Sequence, residues 1–287
     1  MQFQHWLTEF PQSKILAQSE RDGYWNPKAR HITSPVQLVM AEQLREQNVN
    51  VVSASRTVPC DLFVWALGEP DRRDVTKVGG APYRPAGKPW PTKDGATYTF
   101  LAQFDFSTSR DIIGPTPDDI LSVFTLESDF DDLYFEWYSK GISDLIDPTS
   151  VPEPCFQFIT CYGERHRTAD YPDAVRDTGD FGLCVLEGTK IGGVPHFSGV
   201  GFGWDEQRMQ PKEWVTNLDQ LVEGRFLCCL GPVQSDPRFE YPFTNLRECL
   251  TLDHYNDDDK TLILGDMGSI FIHLTEAGKI NHWFQCS

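Results

Sequence analysis

The chain has 287 residues, of which 40% are hydrophobic and 13% aromatic, and this composition excludes a disordered protein. Its formal charge of −17 makes a nucleic acid or an anionic membrane an unfavourable ligand, and no apolar run is long enough to cross a bilayer. Because the N-terminal residues lack a basic region followed by an apolar core, we predict no signal peptide and a cytoplasmic location.

The first 50 residues have the pattern of helices. Phe3, Trp6, Leu7 and Phe10 recur at helical spacing, and Ser34-Pro35 is typical of the start of a second helix. We therefore predict a helical N-terminal cap over residues 1–50, followed by a β-rich domain over residues 51–287.

An eight-residue stretch occurs twice in that domain. Five positions are identical between Thr76-Lys-Val-Gly-Gly-Ala-Pro-Tyr83 and Thr189-Lys-Ile-Gly-Gly-Val-Pro-His196. Apolar runs follow both copies, at Phe100–Phe106 and at Phe226–Leu230. We interpret the pattern as one strand–turn–strand unit used twice, with pseudo-repeats over about 51–147 and 155–287. The predicted fold class is α+β: two duplicated, mostly antiparallel β-rich units in one body, with a helical N-terminal segment.

Several other segments have a clear local character. The apolar runs at Cys60–Leu67 and Ile120–Leu126 predict strands, as does Cys155–Cys161. The polar segment from Tyr162 to Asp180 predicts a loop with a short helix. Four prolines between Pro82 and Pro91 predict an ordered, extended surface loop that Tyr83 and Trp90 hold in place.

The paired glycines have two interpretations. Two glycines before x-Pro either shape a tight turn or let backbone N–H groups approach an anion, and the spacing of a phosphate loop is absent. If both stretches instead face one ligand, a crevice between the repeats would hold it. The candidate ligand-binding residues are then Lys77, Gly79, Gly80, Tyr83, Trp90, Gln103, Asp105, Gly192, Gly193, His196, Asp266 and Gly268.

The acidic residues are concentrated in one segment. Residues 107–150 contain ten acidic and two basic side chains. Such a segment either keeps the protein soluble or attracts a basic protein partner. The candidate partner-binding residues are Asp118, Asp119, Glu127, Asp129, Asp131 and Asp132.

The histidines and cysteines predict neither a metal site nor a cofactor. No two histidines are four residues apart, and none pairs with cysteines at zinc spacing. The eight cysteines lie mostly among apolar neighbours, which is typical of buried free thiols in a reducing cytoplasm. One set stays open as either a cation site or a solvated acidic loop: His254 with Asp257, Asp258 and Asp259.

No catalytic residue is predicted. The chain has no G-x-S-x-G sequence and no local signature of a nucleophilic cysteine. Asp105 and Asp266 either act as perturbed carboxylates or cap backbone N–H groups in turns.

The order of the short motifs resembles that of a known family. The motifs are Lys77–Tyr83, Trp90-Pro91, Phe100–Phe106, Ile191–Pro195, Gly265–Phe271 and Trp283–Cys286. In this order they resemble the YwqG-like proteins, a bacterial family of unknown function. The resemblance implies an intracellular α+β domain with an internal duplication, and it brings no established catalytic residues. This chain departs from the family pattern at Phe226–Pro232, where no glutamine corresponds to Gln103.

Two functional hypotheses follow. The first is a non-enzymatic cytoplasmic module that binds a basic protein through an acidic surface, and an immunity protein that neutralises a toxin is one form of it. The second is a small-molecule-binding protein or enzyme with its site in the crevice between the repeats. A deep pocket lined by both Gly-Gly stretches would favour the second hypothesis, and a flat acidic face would favour the first.

Overall fold

The computed structural model describes residues 57–126, 130–171, 185, 188–195, 223–231, 262, 264 and 268–285. The predicted helical cap over 1–50 lies outside these residues. So do several candidate site residues, namely Glu127, Asp129, His196, His254, Asp257, Asp258, Asp259 and Asp266.

The described part of the chain forms twelve strands, a four-residue helix and a 3₁₀ turn. The strands are β1 Val58–Leu67, β2 Lys77–Val78, β3 Thr92–Lys93, β4 Ala96–Thr97, β5 Thr99–Asp105, β6 Ile120–Thr125, β7 Leu133–Tyr138, β8 Cys161–Asp170, β9 Lys190–Gly192, β10 Arg225–Leu230, β11 Ser269–Leu274 and β12 Ile280–Gln285. The helix, α1, is Arg110–Ile113, and the 3₁₀ turn is Pro148–Ser150. No helix in these ranges is long and apolar enough to cross a membrane.

The predicted α+β fold class is wrong. Ten of the strands form one antiparallel sheet in the order β12-β11-β10-β9-β1-β8-β2-β5-β6-β7, and β3 and β4 form a small hairpin. The two predicted units share this sheet, since β1 lies between β8 and β9 while β8 lies between β1 and β2. Each half therefore supplies a central strand to the other, and the described residues contain no helical layer.

The sheet curls around a single main core. Phe63 and Trp65 of β1 lie in this core, and so do Val78 of β2 and Ile191 of β9. The strands at the two ends of the sheet approach each other through side chains, since the rings of Phe135 and His282 are 5.4 Å apart. The sheet is therefore nearly closed.

The two Gly-Gly stretches occupy corresponding places in this sheet. Strand β2 pairs with β8 and β5, and β9 pairs with β1 and β10. The register of β5 against β6 shifts between Phe100 and Ala102, and that of β10 against β11 shifts between Phe226 and Cys228. Corresponding strands thus carry corresponding bulges. The descent of both halves from one ancestral unit stays a prediction.

Strand β8 corrects two local predictions. Residues 155–160, part of the strand predicted over Cys155–Cys161, have no regular structure. Residues 162–170, part of the loop with a short helix predicted from Tyr162 to Asp180, belong to β8, which pairs with β1 along its whole length. Its charged side chains have partners across the sheet. Asp61 accepts a hydrogen bond from Arg167 at 2.5 Å and forms an ion pair with Arg165 at 3.4 Å. A buried carboxylate on β1 therefore makes this polar strand stable at the centre of the sheet.

Candidate functional site

The first Gly-Gly stretch wraps around a carboxylate from outside the motif. Glu69 accepts a hydrogen bond from the buried Nζ of Lys77 and another from the N–H of Ala81, at 2.8 Å. Gly80 has a φ of 66°, and a Cβ added there would overlap the Oε1 of Glu69. Glycine is required because the chain turns with positive φ directly over the carboxylate.

The second Gly-Gly stretch repeats this arrangement with Asp170. Its Oδ2 accepts hydrogen bonds from the Nζ of Lys190 at 2.7 Å and from the N–H of Val194 at 2.7 Å. A Cβ on Gly193, whose φ is 75°, would overlap the same carboxylate. In both stretches a lysine and an N–H group four residues later converge on one carboxylate, so the N–H groups of these turns bind a group of the protein itself.

The threonine that begins each stretch also has a structural role. The Oγ1 of Thr76 accepts from the N–H of Asp105 at 3.0 Å, and the Oγ1 of Thr189 accepts from the N–H of Gly231 at 3.1 Å. Each threonine thus holds the end of the next strand in the sheet. The threonine, the lysine and the second glycine of each stretch therefore have roles in local structure, in agreement with the turn interpretation.

Gln103 is fully engaged with the backbone. Its Nε2 donates to the carbonyls of Arg73 and Val75, at 2.6 and 2.7 Å, and its Oε1 accepts from the N–H of Tyr83 at 2.8 Å. In the second half Cys229 takes the corresponding position, and its Sγ donates to the carbonyl of Gly188 at 2.7 Å. The missing second glutamine is thus replaced by a thiol that makes one of the same backbone contacts.

Asp105 caps a turn. Of the two interpretations of this residue, a perturbed carboxylate or a turn cap, the structure shows the turn cap. Its Oδ1 accepts from the N–H and the hydroxyl of Ser107, at 3.0 and 2.7 Å, and its Oδ2 pairs with Lys140 at 2.8 Å. The carboxylate thus connects β5 to the loop after β7.

The proline-rich loop is held at both ends. The hydroxyl of Tyr83 accepts from the N–H of Ile142 at 2.7 Å, and the Nε1 of Trp90 donates to the carbonyl of Tyr98 at 2.7 Å. The prediction that Tyr83 and Trp90 hold this loop is therefore confirmed. Both polar groups are hydrogen-bonded to the backbone.

The two lysine–carboxylate pairs differ in their exposure to solvent. Both lysines are inaccessible, and Asp170 is 0% exposed, but the side chain of Glu69 is 44% exposed. Burial lowers the pKa of Lys77, and the hydrogen bond with Glu69 acts in the opposite direction. The second pair is sealed inside the protein, and the first pair is open on its carboxylate side.

The open side of Glu69 lies in a cleft of about 320 Å³. Its walls come from the loop before β2, the first Gly-Gly turn, the start of β5 and the irregular segment before β8. The lining residues are Glu69, Gly79, Gly80, Ala81, Thr99, Phe100, Pro148, Val151, Pro152, Glu153, Pro154, Phe158 and Thr160. The cleft thus combines two carboxylates with an apolar surface of proline and phenylalanine side chains.

Only part of the predicted ligand-binding set lines this cleft. Gly79 and Gly80 do so directly, and Lys77 contacts it through Glu69. The remaining described members of that set, including both glycines of the second stretch, are not among its lining residues. Our sequence interpretation missed Glu69 and Glu153, although each directly precedes a proline, and such a pair in an irregular segment is a signal that could be searched for.

The predicted acidic face is partly neutralised within the protein. Asp119 pairs with Arg110 at 2.8 Å, and Asp132 pairs with Lys93 and accepts from the hydroxyl of Tyr98 at 2.8 Å. The pKa of Asp132 is lowered, and the hydrogen bond from Lys93 contributes most to this change. Of the other described candidates, Asp118 is half-buried and Asp131 is exposed.

Within the described ranges, no group of three or more metal-ligating side chains converges. The His254 alternative lies outside those ranges. The described cysteines are free thiols, and four of them are buried: Cys60, Cys161, Cys228 and Cys229. Burial raises the pKa of Cys229 to about 11 and also raises the pKa values of Cys161 and Cys228.

Cys155 is the exposed thiol among these five, and it borders the cleft, because its N–H donates to the Oγ1 of Thr99 at 2.8 Å. We expect the Cys155→Ser variant to lose one rapidly reacting thiol when native protein is titrated with a chromogenic disulfide reagent. In denaturant the wild-type protein should again exceed the variant by one thiol. An unchanged number of rapidly reacting thiols in the native variant would contradict the exposure of Cys155.

Comparison with known families gives a match to a domain of unknown function. A model described as a domain of unknown function (DUF1963) matches residues 76–146. The match begins at the threonine of the first stretch and runs past β7, so it covers less than half of the chain and omits the second stretch. The match confirms that this part of the chain resembles a domain of unknown function, and it does not test the YwqG-like name. A comparison with curated proteins finds no match.

Proposed function

We propose that the protein is a non-enzymatic cytoplasmic module that binds a basic protein partner through the cleft beside the first Gly-Gly turn. The observation that carries the proposal is the exposed side of Glu69. The protein contains two pairs of the same design, and it leaves one of them open in a cleft that also contains Glu153. The net charge of −17 supports a basic partner, because it attracts such a protein over long range.

We also propose that the chain is YwqG-like. The domain match over residues 76–146 and the second set of motifs, from Ile191 to Pro195 onward, support this assignment. An immunity function is the form of the proposal in which the basic partner is a toxin.

The test is recovery of a basic partner by tagged protein from its own host, at low and at high salt. Glu153→Lys should reduce recovery at least tenfold, because it reverses a charge inside the cleft. Glu276→Lys is the matched control, since Glu276 is exposed at the turn after β11 and both variants change the net charge from −17 to −15. An equal loss in both variants would mean that total charge, and not the cleft, attracts the partner. No loss in either variant would overturn the proposal.

The size of the cleft favours a second candidate function, which is the binding of a small molecule. A volume of about 320 Å³ lies at the lower end of the range of roughly 300–1,000 Å³ found for small-molecule sites. A metabolite that raises the melting temperature of the wild-type protein, but not of the Glu153→Lys variant, would support this candidate.

A further inference from the structure

We infer that the cleft recognises a single lysine or arginine side chain in an extended segment of the partner. This inference rests on the proposed function and names the chemistry that the cleft selects. It follows from three properties of the lining: the arrangement of charge, the apolar walls and the volume.

The charge of the cleft matches one cation. Glu69 and Glu153 line it, and Lys77 is buried behind Glu69, so the three side chains together carry one excess negative charge. Glu69 is held by the Nζ of Lys77 and by the N–H of Ala81, and its carboxylate is therefore fixed before a ligand arrives. Each carboxylate oxygen has two lone pairs, so Glu69 can accept from a ligand while it keeps both contacts. A preorganised acceptor loses little conformational entropy on binding.

The walls suit the stem of a basic side chain. The lining includes three prolines and two phenylalanines: Pro148, Pro152, Pro154, Phe100 and Phe158. Lysine and arginine side chains place their methylene groups along such surfaces while the charged end contacts a carboxylate. A guanidinium group gains further from an aromatic face.

The size of the cleft favours a short, extended ligand. A cleft of about 320 Å³ holds one or two residues and excludes a folded surface. The bound element is therefore a short extended segment.

The experiment uses the full chain and synthetic five-residue peptides, acetylated and amidated, with alanine and glycine around a central position. The central residue is arginine, lysine, citrulline or glutamate, and citrulline keeps the shape of arginine without its charge. Isothermal titration calorimetry at low salt should show at least tenfold tighter binding of the arginine peptide than of the citrulline peptide. The affinity should fall as salt rises, because the recognition depends on charge.

The variants locate the binding. Glu153→Gln should weaken the affinity for the arginine peptide at least fivefold, and Glu69→Gln should also weaken it. Glu276→Gln should leave this affinity unchanged. Equal melting temperatures of the Glu153→Gln and Glu276→Gln variants would confirm that a loss reflects recognition and not unfolding.

The outcomes separate this inference from the proposed function. Equal binding of the arginine and citrulline peptides, or binding of neither, overturns the inference, even if the partner protein still depends on Glu153. Selective arginine binding that Glu153→Gln weakens supports the inference, even if partner recovery does not change in Glu153→Lys. Unchanged partner recovery in Glu153→Lys would overturn the proposed function alone.

Discussion

Replacing Asp170 by asparagine is expected to lower the free energy of unfolding by about 3–5 kcal/mol, because the change removes the negative charge from a buried ion pair. Lys190 and Asp170 are both 0% exposed and 2.7 Å apart. Asparagine keeps the shape of the side chain and can still accept from the N–H of Val194, so the loss reports the missing charge. Urea denaturation followed by circular dichroism measures it.

The corresponding change in the open pair is the matched control. Glu69→Gln is expected to cost less, about 1–2 kcal/mol, because solvent reaches Glu69 and the carbonyl of Ala81 still accepts from Lys77 at 3.0 Å. Equal losses in both variants would contradict the distinction between a sealed and an open pair. The double variant Asp170→Leu with Lys190→Met should recover part of the lost stability, because it removes both buried charges, while leucine cannot accept from the N–H of Val194.

Replacing Arg84 by methionine is expected to cost a similar amount, about 3–5 kcal/mol. Arg84 is buried, donates to Glu136 at 2.9 Å and to the carbonyl of Lys88 at 2.7 Å, and lies 5.2 Å from the ring centre of Trp90. Methionine fills the space but leaves the buried Glu136 with one strong partner fewer. It also releases the proline-rich loop, so faster hydrogen exchange of residues 82–98 should accompany the loss of stability.

The dependence on pH distinguishes the ion pair from simple packing. Burial raises the pKa of Glu136, but hydrogen bonds from Arg84, Tyr138 and Lys88 together outweigh burial and keep that pKa below its ordinary value of 4.5. Glu136 therefore stabilises the native protein above about pH 4.5, and this contribution is lost as the pH falls through the lower native pKa. In the Arg84→Met variant burial should dominate, so acidification from pH 6 to pH 4 should destabilise the variant less than the wild type.

An exposed arginine is the control for this second prediction. Arg72 pairs with Asp74 at 2.7 Å but is 68% exposed. Arg72→Met is expected to change the free energy of unfolding by less than about 1 kcal/mol, because solvent screens the pair. A loss in Arg72→Met as large as that in Arg84→Met would mean that burial does not decide the strength of these pairs.

The sequence by itself determined the local elements of this protein. The apolar runs that include Cys60–Leu67 and Ile120–Thr125 form strands, and the glycines of both repeated stretches turn with positive φ. Tyr83 and Trp90 hold the proline-rich loop. These features depend on side-chain size, periodicity and backbone freedom, which act over a few residues and are visible in any short window.

Only the tertiary structure decided the rest. The carboxylates that complete the two pairs, Glu69 and Asp170, stand 8 and 20 residues before their lysines, in segments without visible similarity. The polar strand β8 is stable at the centre of the sheet because Asp61, more than 100 residues earlier, pairs with its arginines. Helical patterns near the N-terminus suggested an α+β fold, yet the described strands interleave into one sheet. Strand order, burial and the open side of Glu69 depend on contacts between distant residues, and a local pattern carries no information about them.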